Sequence, residues 1–255
     1  MGSLYCLDVG CGNASIIKGQ CATILIDCHN ICEHAHLLPI NKIINAVFIT
    51  HQHGDHYSGL NYLKENMYTI KHIIYSPYAR RFGDNSVSAD EWNEFDGLRR
   101  YYSAKGTTLH SPYRQESFEN PWWMIDGIRF EIIGPFPTIA NSETRQIHDA
   151  SLVIKAVLNG RSCLFAGDAS DSSLESIADN TVNYCNDILY ASHHGSMEGA
   201  NLKFIQNSNA KYTLISTKSG VYESVPHSTA LSRYKKNTVH NVIRTDVEGS
   251  WKWEF

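Results

Sequence analysis

The stretch Ala46-Val47-Phe48-Ile49-Thr50-His51-Gln52-His53-Gly54-Asp55-His56 decides how this chain is read. Its first four residues form an apolar run of strand length. Tyr57 to Asn66, which follow it, carry helical spacing, so the polar half is a loop at a strand end. Rigid scaffolds commonly carry their functional groups on such loops. Three imidazoles and a carboxylate within six residues have no packing rationale. Neutral imidazoles gain little from one another, and protonated ones repel. A bound cation resolves the conflict, because His nitrogen and Asp oxygen suit zinc, manganese or iron.

Outward from this loop, short β-type runs recur between Gly, Asn and Asp punctuation. Leu4 to Val9, Ser15 to Lys18 and Ala22 to Asp27 read as three strands, the first two joined by the Gly10-Cys11-Gly12-Asn13 turn. Residues 34 to 45 carry apolar spacing suited to a helix, and Ala46 to Thr50 and Ile70 to Tyr75 read as strands. In the second half, strands are expected at 128–133, 151–158, 162–166, 188–191, 212–216, 242–245 and 251–255, and helices at 171–178, 201–207 and 228–235. Two similar halves of alternating strands and helices, with no low-complexity linker, predict one α/β (α+β) domain over residues 1–255. Its two sheets lie face to face with helices outside, a four-layer αββα sandwich. Residues 78 to about 120 break the rhythm: they are polar and aromatic, with a helical patch at Asp90 to Ala104. They read either as a lid or binding surface, or as a solvated helical excursion. Tyr101, Tyr102, Trp122 and Trp123 either stack on a base there or pack beneath the excursion.

Bulk properties narrow the function. The chain has 255 residues, 42% hydrophobic and 19% charged, enough to bury a full core. A net charge of −4 with dispersed Lys and Arg favours a small or short substrate over a long duplex nucleic acid. The longest apolar runs are strand-sized, well short of the ~18 residues of a membrane span. The opening residues lack a basic start, so a cytoplasmic location is expected. The seven cysteines include no CxxC pair and read as reduced core residues. Cys28-His29-Asn30-Ile31-Cys32-Glu33-His34-Ala35-His36 lacks a distant second pair to close a zinc site. A homo-oligomer is left open.

The pattern His51-x-His53-x-Asp55-His56 after a strand resembles the signature of the metallo-β-lactamase superfamily, which implies the αββα sandwich. Other landmarks stand in the order that family shows. Ile24-Leu25-Ile26-Asp27 resembles its early strand whose Asp braces the histidine loop. His148 stands where a third histidine is usual, and Leu164-Phe165-Ala166-Gly167-Asp168 resembles the motif supplying a bridging carboxylate. A closer likeness is to the soluble metallohydrolase domain of ComEC-type competence proteins. Leu7-Asp8-Val9-Gly10-Cys11-Gly12-Asn13-Ala14 is similar to its LDVGQGDA opening, with Asn13 replacing the usual Asp. Ser192-His193-His194-Gly195-Ser196 is similar to its HHGS motif, and Arg244-Thr245-Asp246-Val247-Glu248-Gly249 to its RTD-x-x-G ending.

The resemblance implies a hydrolase with two divalent ions, zinc or manganese. His51, His53 and His148 hold one, Asp55, His56 and a last histidine hold the other, and Asp168 bridges them. By family order the last histidine is either His194 or His227, and the spacing found in the superfamily's nucleases favours His227. His193 and His194 then face the substrate as catalytic groups with Asp55. Ser196 contacts substrate, and Asp27 and Asp8 support the loops. Two ions sharing a water would make it a nucleophile near neutral pH. The expected reaction is phosphodiester hydrolysis on a small, cyclic or single-stranded nucleotide. The alternatives are a lactone, thioester or phosphorylcholine ester, or a non-catalytic metal-bound binding module.

Overall fold

A computed structural model describes residues 2–114 and 122–255. The chain builds a first sheet from β1 (Ser3–Cys6), β2 (Ala14–Lys18), β3 (Thr23–Cys28), β4 (Ile43–Ile49), β5 (Thr69–Tyr75) and β6 (Thr108–His110). It then builds a second from β7 (Met124–Ile125), β8 (Ile128–Gly134), β9 (Val153–Leu158), β10 (Arg161–Phe165), β11 (Ile188–Tyr190), β12 (Tyr212–Ile215) and β13 (Asn241–Arg244). The last strand, β14 (Trp251–Glu254), returns to pair antiparallel with β1, giving the orders 14-1-2-3-4-5-6 and 13-12-11-10-9-8-7. Each half runs an antiparallel meander and then switches to parallel crossovers, at β3–β4 in one half and at β10–β11 in the other.

Strands buried on both faces explain the near-continuous apolar runs. In β3, Ile24 and Ile26 face the second sheet while Leu25 faces outward; in β4, Ala46 and Phe48 face in while Val47 and Ile49 face out. The inner layer packs Ile24, Ile26 and Phe48 against Phe130, Ile132, Ile154 and Phe165. Outside the first sheet lie α1 (Gly54–Tyr57), α2 (Gly59–Glu65) and α3 (Ala89–Ala104), which bury Tyr57, Leu60, Leu63, Phe95, Leu98 and Tyr102. The second half carries α4 (Pro137–Ala140), α5 (Asp171–Asn180), α6 (Leu202–Ser208), α7 (Ser228–Asn237) and α8 (Thr245–Glu248). Of these, α5, α6 and α7 bury Leu174, Ile177, Phe204, Ile205 and Tyr234 on the outer face of the second sheet. The result is the expected four-layer αββα sandwich. Among the described residues, no helix is long and apolar enough to cross a membrane.

Four details differ from the sequence expectations. The helix expected at 34–45 is a 3₁₀ segment, Ile31–Leu37, followed by the start of β4 at Ile43. Pro39 forces Leu38 into extended backbone (ψ 155°), and Lys42 sits in the left-handed region (φ 56°), so no helix can run through. The first strand ends at Cys6 rather than Val9. Cys6, Cys28, Cys163 and Cys185 are buried free thiols, but Cys21 and Cys32 are exposed. Within 78–120, residues 115–120 lie outside the described residues. The remainder is anchored: Ser88 and Glu91 form a reciprocal capping box at the start of α3, whose apolar face joins the outer core. Tyr102 and Trp122 are buried, Trp122 edge-on to Phe48 at 5.9 Å, so both pack rather than stack on a base.

Asp187 joins three strands of the second sheet. Its carboxylate accepts the Ser162 N–H of β10 at 2.8 Å and Lys211 Nζ at 2.7 Å, and its carbonyl accepts the N–H of Tyr212. Burial alone would raise this carboxyl, but Lys211 and the Ser162 N–H outweigh it and hold it below its ordinary value. A depressed carboxyl stabilises the fold above its unfolded pKa, and that contribution is lost as pH falls through the folded value. Asp187→Asn should therefore cost about 1–3 kcal/mol at pH 7. In urea titrations the gap between variant and wild type should close below about pH 4; a gap constant down to pH 3 would refute the charge argument.

Candidate metal centre

Four loops meet at one edge of the sandwich: residues 50–56 after β4, 147–151 before β9, 166–168 after β10, and 191–196 after β11. Backbone hydrogen bonds join them. Leu152 N–H donates to Thr50 O at 2.8 Å, Ser170 N–H to His148 O at 3.2 Å, and His193 N–H to Gly167 O at 3.1 Å. Gly167 stands at φ 53°, and a Cβ there would lie 2.5 Å from Ser151 Oγ and 2.7 Å from Thr50 Cβ, so the loops close only around a glycine. His193 and His194 both occupy left-handed backbone (φ 50° and 53°), a conformation that costs energy for residues with a Cβ and recurs at functional sites.

Asp27, at the end of β3 and 1% exposed, accepts three hydrogen bonds: Thr50 N–H, Thr50 Oγ1 and His56 Nδ1, each at 2.8 Å. With its Nδ1–H committed, His56 presents Nε2 to the centre. His194 does the same, its Nδ1 lying 3.0 Å from Ser216 O. His53 presents Nδ1, because its Nε2 donates to Ser86 O at 2.8 Å. These outer partners fix which nitrogen of each ring faces inward.

The inward atoms form a connected set. His56 Nε2 lies 3.4 Å from Asp168 Oδ1 and 3.9 Å from Asp55 Oδ1. His194 Nε2 lies 3.4 Å from Asp55 Oδ2 and 3.6 Å from Asp168 Oδ2. On the other side of Asp168, His51 Nε2 is 3.8 Å and His193 Nε2 3.9 Å from Oδ2, while His53 Nδ1 is 3.0 Å from His51 Nε2 and 3.4 Å from His148 Nε2. Ligand atoms on a tetrahedron with bonds of about 2.1 Å are about 3.4 Å apart. The observed spacings cluster around that edge. His56 Nε2, Asp168 Oδ1 and His194 Nε2 are buried without a hydrogen-bond partner among the described residues, an arrangement that is costly unless a cation engages them. The residues present therefore fit a metal centre, with donor groups His51–His53–His148, His51–His56–Asp168, Asp55–His56–His194 and His148–Asp168–His193.

Electrostatics agree. Burial would raise Asp168 and Asp55, but His56 and His194 (with His51 at Asp168) hold both down, Asp55 to about 2 and Asp168 well below the carboxylate range. Burial pushes His51 well down, and takes His148 to about 4, leaving both neutral and fit to ligate. His56 and His194 go up despite burial, because Asp168 and neighbouring carboxylates face them. The two ionised carboxylates and the raised imidazoles balance one another, and a cation would take the place of the imidazoles' protons in that balance.

Not every expected residue joins the cluster. His227 belongs to none of the donor groups found among the described residues; its N–H donates to Gly195 O and its Nδ1 accepts Thr229 N–H as the cap of α7. In this geometry it is His194, with left-handed backbone at 193–194, whose ring stands against Asp55. Asp8 also stands apart: its carboxylate accepts Gly10 N–H at 3.4 Å, and its carbonyl receives His34 Nε2, shaping the 8–13 turn rather than touching the donors. That turn does reach the site, since Asn13 N–H donates to Asp55 O. Ser196 is buried, and its Oγ accepts Gly199 N–H at 3.3 Å. A cleft of about 570 Å³ opens above the cluster, with Asp55, His148, Asp168, His193, His194, Ser196 and His227 on its wall. Sequence reasoning missed Ser86, whose carbonyl orients His53, and Glu91, whose Oε1 accepts Gly54 N–H at 3.1 Å. The capping-box pattern at Ser88–Glu91 was readable; its second bond to the histidine loop was not.

Solved structures share this architecture at low identity. The metallo-beta-lactamase fold protein YhfI from Bacillus subtilis is 14% identical, with 98% of this chain and 100% of that one covered and a TM-score of 0.58. Zn(2+)-bound PqqB from Methylobacterium extorquens is 9% identical, with complete coverage of both chains and a TM-score of 0.59. A diphosphatase of the PhnP family is 15% identical, with 100% and 98% covered and a TM-score of 0.54. No curated protein matches the chain. The sequence profile of the Metallo-beta-lactamase superfamily spans residues 7–216, from the strand before the first turn to the Ser216 carbonyl that orients His194. With the histidine loop, the Asp168 strand end and the strands β2 to β12 of the two facing sheets inside that span, this chain is a member of the metallo-β-lactamase superfamily.

Proposed function

We propose that the chain is a two-metal phosphodiesterase acting on a small diester. Within this reading His51, His53 and His148 would hold one ion and Asp55, His56 and His194 the other, with Asp168 within reach of both sets. Divalent ions there, zinc or manganese, would activate a water and draw charge from the bond under attack. The observation that carries the reading is Asp168 itself: it is 2% exposed, ionised, and approached from both sides by imidazole nitrogens.

The chain's own residues supply the rest. Asp27 and the carbonyls of Ser86 and Ser216 fix ring orientation. His193, half-buried at the cleft floor with its ring 4.5 Å from that of His148, is placed to give a proton to the departing oxygen. The cleft volume suits a small molecule. The likeness of 7–14, 192–196 and 244–249 to the ComEC-type metallohydrolase domain supports phosphodiester chemistry, and a short or cyclic nucleotide is one substrate of that kind. One of the structures sharing the fold is described as a diphosphatase, which supports phosphate chemistry on this scaffold.

The test combines metal analysis with hydrolysis of bis-(p-nitrophenyl) phosphate in manganese or zinc. His194→Ala should lose at least about tenfold in metal affinity, whereas His227→Ala should keep the wild-type metal content. The reverse result would restore His227 as the last ligand. A metal-replete protein that opens a lactone or thioester but no phosphodiester has a different bond as its target.

A further inference from the structure

Between the sheets, next to the histidine loop, lies a cavity of about 10 Å³, to whose wall Asn13, Ser15, Asp27, Thr50 and Tyr190 bring polar groups. Tyr190 stands on β11, 3% exposed, its ring stacked on Phe165 at 5.4 Å. Its Oη is buried without a hydrogen-bond partner among the described residues; Ser15 faces it from β2 but forms no bond with it. Burial pushes the phenol well up, so the oxygen keeps its proton and needs an acceptor. A donor left unmet in the core is costly. Asp27, on the same wall, has acceptor capacity to spare. It takes hydrogen bonds from Thr50 N–H, Thr50 Oγ1 and His56 Nδ1, and a carboxylate has room for about four.

A space of this size is about the least that one water requires, and a buried water is held by about two to four polar partners. Resting on the two-ion reading but not on the bond that is cleaved, we infer that one water fills this cavity, accepting the Tyr190 O–H and donating to Asp27, so that Tyr190 is a positioning residue for the ion of Asp55, His56 and His194. The link to that ion runs along two routes. Asp27 orients His56, and Asn13, also on the cavity wall, donates its N–H to Asp55 O at 2.9 Å. His53, by contrast, is oriented by the Ser86 carbonyl. The cavity also gives a reason for Asn13, where the ComEC-type opening has Asp. A carboxylate there would share the cavity with Asp27 and repel it, whereas an amide can bond the same water without charge.

The experiment joins crystallography of the wild type to stepwise zinc titration against a competing chelator. The crystal should show an ordered water within hydrogen-bond distance of both Tyr190 Oη and Asp27. Tyr190→Phe should weaken one zinc step by about tenfold, the same step that His194→Ala weakens, and leave the other nearly unchanged. Tyr184→Phe is the control: it removes another buried phenol, one that donates to Phe204 O away from the donors, and should lower Tm without touching either step. A cavity that holds no water, two unchanged steps in Tyr190→Phe, or equal weakening in Tyr184→Phe overturns the inference. Should the wild type take up a single ion, the two-ion reading fails on its own. The Tyr190 assignment is then upheld if that one affinity falls in Tyr190→Phe, and overturned if it does not.

Discussion

Asp168→Ala should abolish turnover, by about 10³-fold or more, and strip the protein of most of its bound metal. Every donor group near the carboxylate depends on it for balance. His56, His51, His193 and His194 approach one or other oxygen at 3.4–3.9 Å. Without it, four imidazoles face one another around a single remaining carboxylate, Asp55, and a divalent ion there loses a charged ligand. The fold itself should survive, because among the described residues Asp168 is tied to the scaffold by its backbone N–H to Ser151 Oγ, which the substitution keeps. Elemental analysis of the purified variant, circular dichroism and diesterase rates check each part. A folded Asp168→Ala protein that keeps two equivalents of metal and wild-type rates would dissolve the assignment.

The largest effect on stability should come from a residue with no chemistry. Gly59 opens α2 against β3, and a Cβ built on it would lie 1.8 Å from the Cys28 carbonyl oxygen and 2.8 Å from Ile31 Cγ2. Neither the carbonyl nor the packed Ile31 can move without lifting α2 from the sheet. Gly59→Ala should cost about 3 kcal/mol or more, a fall in Tm of roughly 6–12 °C for a chain this size. The displacement begins three residues after His56, so metal affinity should weaken as well. Gly97→Ala in α3 is the control: nothing lies within 4 Å of its Cβ, and helix propensity favours a gain of up to about 1 kcal/mol. Similar melting of the two variants would show that the Gly59 contact is not limiting.

How much of this was legible in the sequence follows from the range of each interaction. The histidine loop, the strand before it and the Gly167-Asp168 strand end are local patterns, and the structure places them as expected. Apolar runs gave the strands from β8 onward to within about two residues, while the short β6 and β7 went unread. The 34–45 segment was misread because apolar spacing outweighed Pro39, although one proline is sufficient to stop a helix. His227 was favoured over His194 on spacing alone. What brings His194 to Asp55 is backbone handedness at 193–194 and the distant Ser216 carbonyl, and neither leaves a mark in the local sequence. The acidic cleft wall was equally hidden, since Glu91 comes from the first turn of α3 and Glu198 and Glu223 from two separate loops.

The pairing of β14 with β1 sets Leu4 opposite Trp253 and Cys6 opposite Trp251. During synthesis the earliest strand must therefore wait for residue 254 to leave the ribosome before its outer edge is covered. Until then a row of free N–H and C=O groups stays available to other chains. Such a long-range closure makes folding slow. It also moves the open edge of the first sheet from β1 to β14, a four-residue strand whose exposed Lys252 and Glu254 guard it against edge-to-edge pairing.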